Sequence, residues 1–161
     1  MTEFNPSVQN IICSDKDLCY FGDFPTIAEI NNRFSVDTSA AWLIPQLTDL
    51  SEFCGCKEKL QDRPLEECAF LIAQNYYYLK ISELMLFFSR FKLGCYGIFY
   101  GSVDPLKIMQ ALRQFVIERN AAYSARQAEA EREKRQNEAK NSVSYAKYLE
   151  LKRIKMAEKS I

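Results

Sequence analysis

From Leu65 to Phe91 the apolar residues keep step with a helix, and this constrains the fold most. Leu65, Cys68, Ala69, Ile72, Tyr76 and Leu79 fall on one face, and Ile81, Leu84, Met85, Phe88 and Phe91 continue the pattern. Leu86 and Phe87 add apolar surface off that face, so the second part should be buried on most sides. A continuous helix over 64–93 and a helix bent near Lys80 both fit, and YYYLKI also has strand-like composition. We read helix, because the helical period runs through both flanks. Glu83 lies inside this apolar stretch and needs a cation, from Arg90 two turns on or from another helix.

The rest of the chain supports an all-α class. Glycine and proline number five each, too few for a turn-rich β fold, while 48% hydrophobic and 13% aromatic residues can fill a core. In 161 residues there is room for one domain and an appendage. We expect a bundle of four to five helices over 25–120, an irregular N-terminal arm over 1–24, and a long, basic, helical or partly disordered C-terminal extension over 121–161. Pro25 precedes a short helix near 26–34. Asp37 or Thr38 is placed to cap the next helix, which carries Leu43, Leu47, Leu50 and Cys54 at helical spacing. Pro45 inside that pattern should kink it or start a second helix, and Gly55 should end it. Trp42 reads as a core anchor. Pro64 suits the first turn of the following helix. Later, Asp104 and Pro105 form a helix start, with Ile108, Leu112, Phe115 and Arg119 along one stripe. After residue 120 large apolar residues nearly vanish until Tyr145, Tyr148, Leu149, Ile154 and Met156, which are interspersed with Lys147, Lys152, Arg153 and Lys155. That segment reads as a docking helix or as a disordered tail.

Several function classes find no support. The chain has no histidine, the side chain best suited to proton transfer near neutral pH, and no phosphate-binding loop or nucleophile elbow. We therefore expect no enzymatic activity and no cofactor. Zinc would need four thiolates, yet the six cysteines include no C-x2-C pair. They read as reduced, small apolar side chains, with Cys68 and Cys95 in or near the core. No apolar run is long enough to span a membrane, and MTEFNPSVQN lacks the basic and apolar regions of a signal peptide, so the expected location is cytoplasmic.

A neutral total hides a split. Residues 1–79 hold 5 Lys+Arg against 12 Asp+Glu, a net of −7, and residues 80–161 hold 16 against 9, a net of +7. The basic half could meet nucleic acid or an acidic partner, or the halves could neutralise each other within or between copies.

FKLGCYGIFYGSVDP, residues 91–105, packs Gly94, Gly97 and Gly101 among Phe91, Tyr96, Phe99 and Tyr100. It reads either as a folded corner whose aromatics plug the bundle or as a contact loop. In the second reading Tyr96, Phe99 and Tyr100 stack on bases or fill a partner's pocket, while Arg90, Lys92, Lys107 and Arg113 meet phosphates.

The run from Glu83 to Asn120 resembles small helical proteins of Bacteroidetes mobile elements and prophages. The block they share is carried here by Phe87, Phe88, Phe91, Lys92, Gly94, Tyr96, Gly97, Phe99, Tyr100, Gly101, Asp104 and Pro105, then Ala111, Leu112, Phe115, Glu118 and Arg119. Cys95 and Ile98 stand where that block carries basic residues, which lessens phosphate contact by the loop itself. The general shape, a helical bundle followed by a basic tail, is similar to phage-type replisome organisers and helicase loaders. These resemblances imply a non-enzymatic accessory protein of DNA replication or of a mobile element, binding nucleic acid, a helicase or another replication protein. The alternative is a protein–protein adaptor or self-associating protein without a nucleic-acid role.

Overall fold

Short polar caps and long apolar stripes divide the chain into helices. The computed structural model describes residues 4–141 and 145–158, and among these it is all-α, without a strand. A 3-10 turn, Pro6–Val8, precedes α1 (Gln9–Ile12), α2 (Lys16–Phe21), α3 (Ile27–Arg33), α4 (Val36–Phe53), α5 (Asp62–Asn75), α6 (Ile81–Lys92), α7 (Pro105–Asn141) and α8 (Tyr145–Glu158). The chain divides into two compact units, Met1–Arg119 and Asn120–Ile161.

The expected irregular arm is instead a series of short helical turns. The Asn5 side chain accepts from the Ser7 amide, Pro6 opens the 3-10 turn, and the Asp15 carboxylate caps α2 by accepting from the Leu18 amide at 3.0 Å. Turns of three to six residues are too short to show a period in sequence, which is why they read as irregular. They are held by the core: Trp42 Nε1 and Gln46 Nε2 both donate to the Phe4 carbonyl, at 2.8 and 2.9 Å, and Cys19 and Tyr20 are buried. Trp42 is thus both packed and hydrogen-bonded, as a buried indole requires.

The helix near 26–34 is α3, started by a reciprocal cap between Thr26 and Glu29. Ser35, rather than Asp37 or Thr38, caps α4: its hydroxyl accepts from the Thr38 amide. α4 runs through Pro45 without interruption. The lost amide costs one helical hydrogen bond, and burial of Leu43, Leu47 and Leu50 on the same helix outweighs it. Gly55, at φ +64°, follows the helix end as expected.

α5 and α6 are separate. The tyrosine run between them is a connector, neither helix nor strand, because its backbone pairs with the entry to α3. Ile27 N–H donates to the Leu79 carbonyl at 2.9 Å, Ala28 N–H to Tyr77 at 2.7 Å, and Ile81 N–H to Pro25 at 3.0 Å. Those partners lie about fifty residues away in sequence, so local pattern could not reveal them. Lys80 adds a side-chain tie to the carbonyls of Tyr20 and Gly22.

α6 is the central helix, with Ile81 to Phe88 and Phe91 all buried. Its one acidic residue, Glu83, is completely buried. One carboxylate oxygen accepts from Arg119 Nε of α7 at 2.7 Å, and the other from the Lys80 amide at 2.9 Å. The cation therefore comes from another helix and not from Arg90. Ile108, Leu112 and Phe115 present the expected buried stripe of α7, and the Asp104 carboxylate accepts from the Leu106 amide at its start.

In the second unit every described side chain from Ser124 onward is exposed. Arg135 and Glu131 lie 3.9 Å apart one turn from each other, a pairing that supports an isolated helix only by tenths of a kcal/mol.

Candidate functional site

The loop between α6 and α7 turns on glycines with positive φ, among them Gly94 (+79°) and Gly97 (+86°). A Cβ on Gly94 would meet nothing within 4 Å, so backbone conformation rather than space calls for glycine there. These turns send alternate side chains to opposite sides. Phe91 and Tyr96 point inward. Tyr96 lies 5.6 Å from Phe87 and 5.9 Å from Phe91 between ring centroids and is 9% exposed. Burial raises its phenol well above the ordinary range, with the Arg90 charge opposing and Glu118 adding. Phe99 is half-buried and stacks on Phe91 at 5.2 Å. Tyr100 and Ile98 point outward, 82% and 57% exposed. The loop is a plug on one side and a rim on the other.

The cations divide in the same way. Arg90 is 2.9 Å from the Glu118 carboxylate and lies over the Tyr96 ring. Lys92 bridges the Gln9 side-chain carbonyl and Asp49. Both are committed inside the first unit, and Tyr96 with them. Lys107 belongs to the rim: it donates to the Ile98 carbonyl and holds its ammonium 5.5 Å from the Phe99 centroid and 5.7 Å from that of Tyr100. Arg113 is exposed further along α7. Of the seven residues singled out in sequence, the structure gathers Phe99, Tyr100 and Lys107 on one outer surface. Ile98 and Leu106, the latter 78% exposed, are rim residues the sequence reading did not select. Leu106 was findable, since it falls off the buried Ile108–Leu112–Phe115 stripe. Cys95, expected near the core, is exposed at the loop surface, and Cys68 is buried.

Tyr100→Ala is expected to change folding stability by no more than about 0.5 kcal/mol in urea denaturation, because an exposed ring contributes little to packing. A large loss would mean that the outer rim is part of the core.

Of the three ion pairs Arg90–Glu118, Lys92–Asp49 and Arg119–Glu83, only Lys92–Asp49 joins the acidic half of the sequence to the basic half; the other two lie within the basic half. Residues 1–119 hold 11 Lys+Arg against 15 Asp+Glu, a net of −4, and residues 120–161 hold 10 against 6, a net of +4. On α8, exposed Tyr145, Tyr148, Leu149, Leu151, Ile154 and Met156 alternate with basic residues.

Elsewhere, a cleft of about 490 Å³ is lined by Phe4, Phe24, Pro25, Ile30 and Phe34 together with Asp23, Glu29 and Arg33. The Glu29 carboxylate is occupied by capping α3. Among the described residues, no group of three or more metal-ligating side chains lies together, and no helix is long and apolar enough to cross a membrane.

Fold and surface together define an all-α bundle domain followed by an exposed helical extension. A profile described as a family of unknown function (DUF6633) matches residues 61–159, from the start of α5 through the glycine loop and the extension, and the chain belongs to that family. No curated protein and no solved structure matches it.

Proposed function

We propose that the protein is a non-enzymatic accessory factor of DNA replication or of a mobile element, and that it binds nucleic acid. The observation that carries this reading is the extension: a helical segment of net charge +4, with its described side chains exposed from Ser124 onward. Its basic charge suits a polyanion. The loop rim adds the exposed Tyr100 ring beside the Lys107 ammonium, an aromatic and a cation of the kind that meet unpaired bases and phosphates. The mobile-element setting rests on the sequence resemblance, and a helicase or another replication protein is the further partner it suggests. Fluorescence anisotropy with labelled single-stranded and duplex oligonucleotides tests the reading. Binding should weaken between about 50 and 200 mM salt, since each neutralised phosphate releases counterions. Absence of binding at the lower salt would sink it.

A second reading, self-association, is favoured by the opposite charges of the two units and by the apolar residues of α8. In that case the acidic first unit of one copy receives the extension of another. Light scattering should then show a mass that falls as salt rises, whereas a monomer at every salt concentration would exclude it.

A further inference from the structure

We propose that α8 of one copy docks antiparallel on the outer face of α5 of a second copy. The proposal rests on the self-association reading and names the surface that receives the extension. α5 turns Leu65, Cys68 and Ile72 into the core. Its other side carries two large apolar side chains, Phe70 and Leu71, both exposed. One turn before them stand Glu66 and Glu67, also exposed. These four residues line one open depression. An exposed apolar patch rimmed by charge is the form that a protein contact surface takes.

α8 carries the matching pattern in the opposite order. Tyr148 and Leu149 are exposed, and Lys152 and Arg153 follow them by one turn. On α5 the carboxylates come first and the apolar pair second. On α8 the apolar pair comes first and the cations second. Four residues of helix rise about 6 Å in either case. Laid antiparallel, the two helices therefore match turn for turn. Tyr148 and Leu149 cover Phe70 and Leu71, while Lys152 and Arg153 meet Glu66 and Glu67. One turn further, Lys155 and Met156 fall opposite Asp62. A parallel arrangement would set Tyr148 and Leu149 on the carboxylates and the cations on Phe70 and Leu71.

The charges of the whole helices agree with this pairing. α5 holds one arginine against three acidic residues, a net of −2, and α8 holds four Lys+Arg against two glutamates, a net of +2. Arg63 lies 3.1 Å from Glu67, but both side chains are largely exposed, and an ion pair so wet yields readily to a new cation. Apolar anchors supply contact area, and the charges fix direction and register. The contact joins two different surfaces. A closed dimer therefore needs each copy to give and to receive, whereas one-way docking grows a chain.

The test uses the full chain and two charge-reversed forms, Glu66→Lys with Glu67→Lys, and Lys152→Glu with Arg153→Glu. All four positions are exposed, so the fold should tolerate the changes. In sedimentation at about 50 mM salt the unaltered chain should associate. Each reversed form should associate about a hundredfold more weakly, because like charges then face each other. Mixing the two reversed forms should restore association, since the new lysines of one meet the new glutamates of the other. A contact within a single chain would not respond to mixing. An unaltered chain that stays monomeric at every salt concentration overturns both this contact and the self-association reading, and leaves nucleic acid or an unrelated protein as the occupant of the extension. Salt-sensitive association that survives reversal at Glu66 and Glu67, or that mixing does not restore, overturns this contact alone.

Discussion

Arg119→Ala is expected to destabilise the fold by about 4 kcal/mol, because it leaves a fully buried carboxylate without its cation. At this chain length that corresponds to a fall in melting temperature of about 10 °C. Geometry decides the size of the effect. The Glu83 side chain is 0% exposed and that of Arg119 only 15%, so the carboxylate is far less solvated than a surface charge when the guanidinium is lost. The Lys80 amide still donates to the other oxygen, but an amide hydrogen bond does not neutralise a charge. The Arg90–Glu118 pair has nearly the same length, yet its side chains are 24% and 31% exposed, and Arg90→Ala should cost only about 1 kcal/mol. If charge is the cause, Arg119→Ala combined with Glu83→Gln should be more stable than Arg119→Ala alone. Urea denaturation of the four proteins measures this coupling. A loss below about 1 kcal/mol for Arg119→Ala would show that the buried carboxylate does not depend on α7.

On the proposed nucleic-acid reading, removing residues 121–161 should weaken oligonucleotide binding by about a hundredfold at 50 mM salt and flatten its salt dependence. The extension carries 10 of the 21 Lys and Arg residues, and three of the cations in the first unit are already paired with Glu118, Asp49 and Glu83. With about four phosphates neutralised by the extension, the logarithmic salt slope should fall by about 3.6 in the shortened protein on duplex DNA. The first unit keeps the buried stripe of α7 through Phe115, together with Arg119 opposite Glu83, so its core remains complete. Unchanged affinity and slope would assign binding to the loop rim or remove it from the account.

The sequence carried the class and the central helices because their signals are periodic and local. Leu65–Ile72, Leu84–Phe91 and Ile108–Phe115 each repeat an apolar step over several turns, and burial of those positions follows. What escaped it depends on distant partners or on backbone sign. The N-terminal turns are secured by Trp42 and Gln46 through one carbonyl, Phe4, some forty positions away. The break at Tyr76–Lys80 comes from pairing with residues 25–28. Glu83 had a plausible neighbour in Arg90, but its partner lies 36 residues on. The glycine loop was recognisable as a corner rich in aromatics. Which rings face inward depends on the positive φ angles at Gly94, Gly97 and Gly101, so the separation of Tyr96 from Tyr100 appeared only in three dimensions.

The central claim is that contact capacity lies on the loop rim and the extension, not in the paired cations of the bundle. Backbone amide shifts of the labelled full-length protein, followed by NMR while a short single-stranded oligonucleotide is added at 50 mM salt, test it most directly. The account predicts shifts concentrated at Ile98–Lys107 and along the extension, with Lys92 and Tyr96 little changed. Shifts centred on Lys92 and Tyr96, or none anywhere, would contradict it.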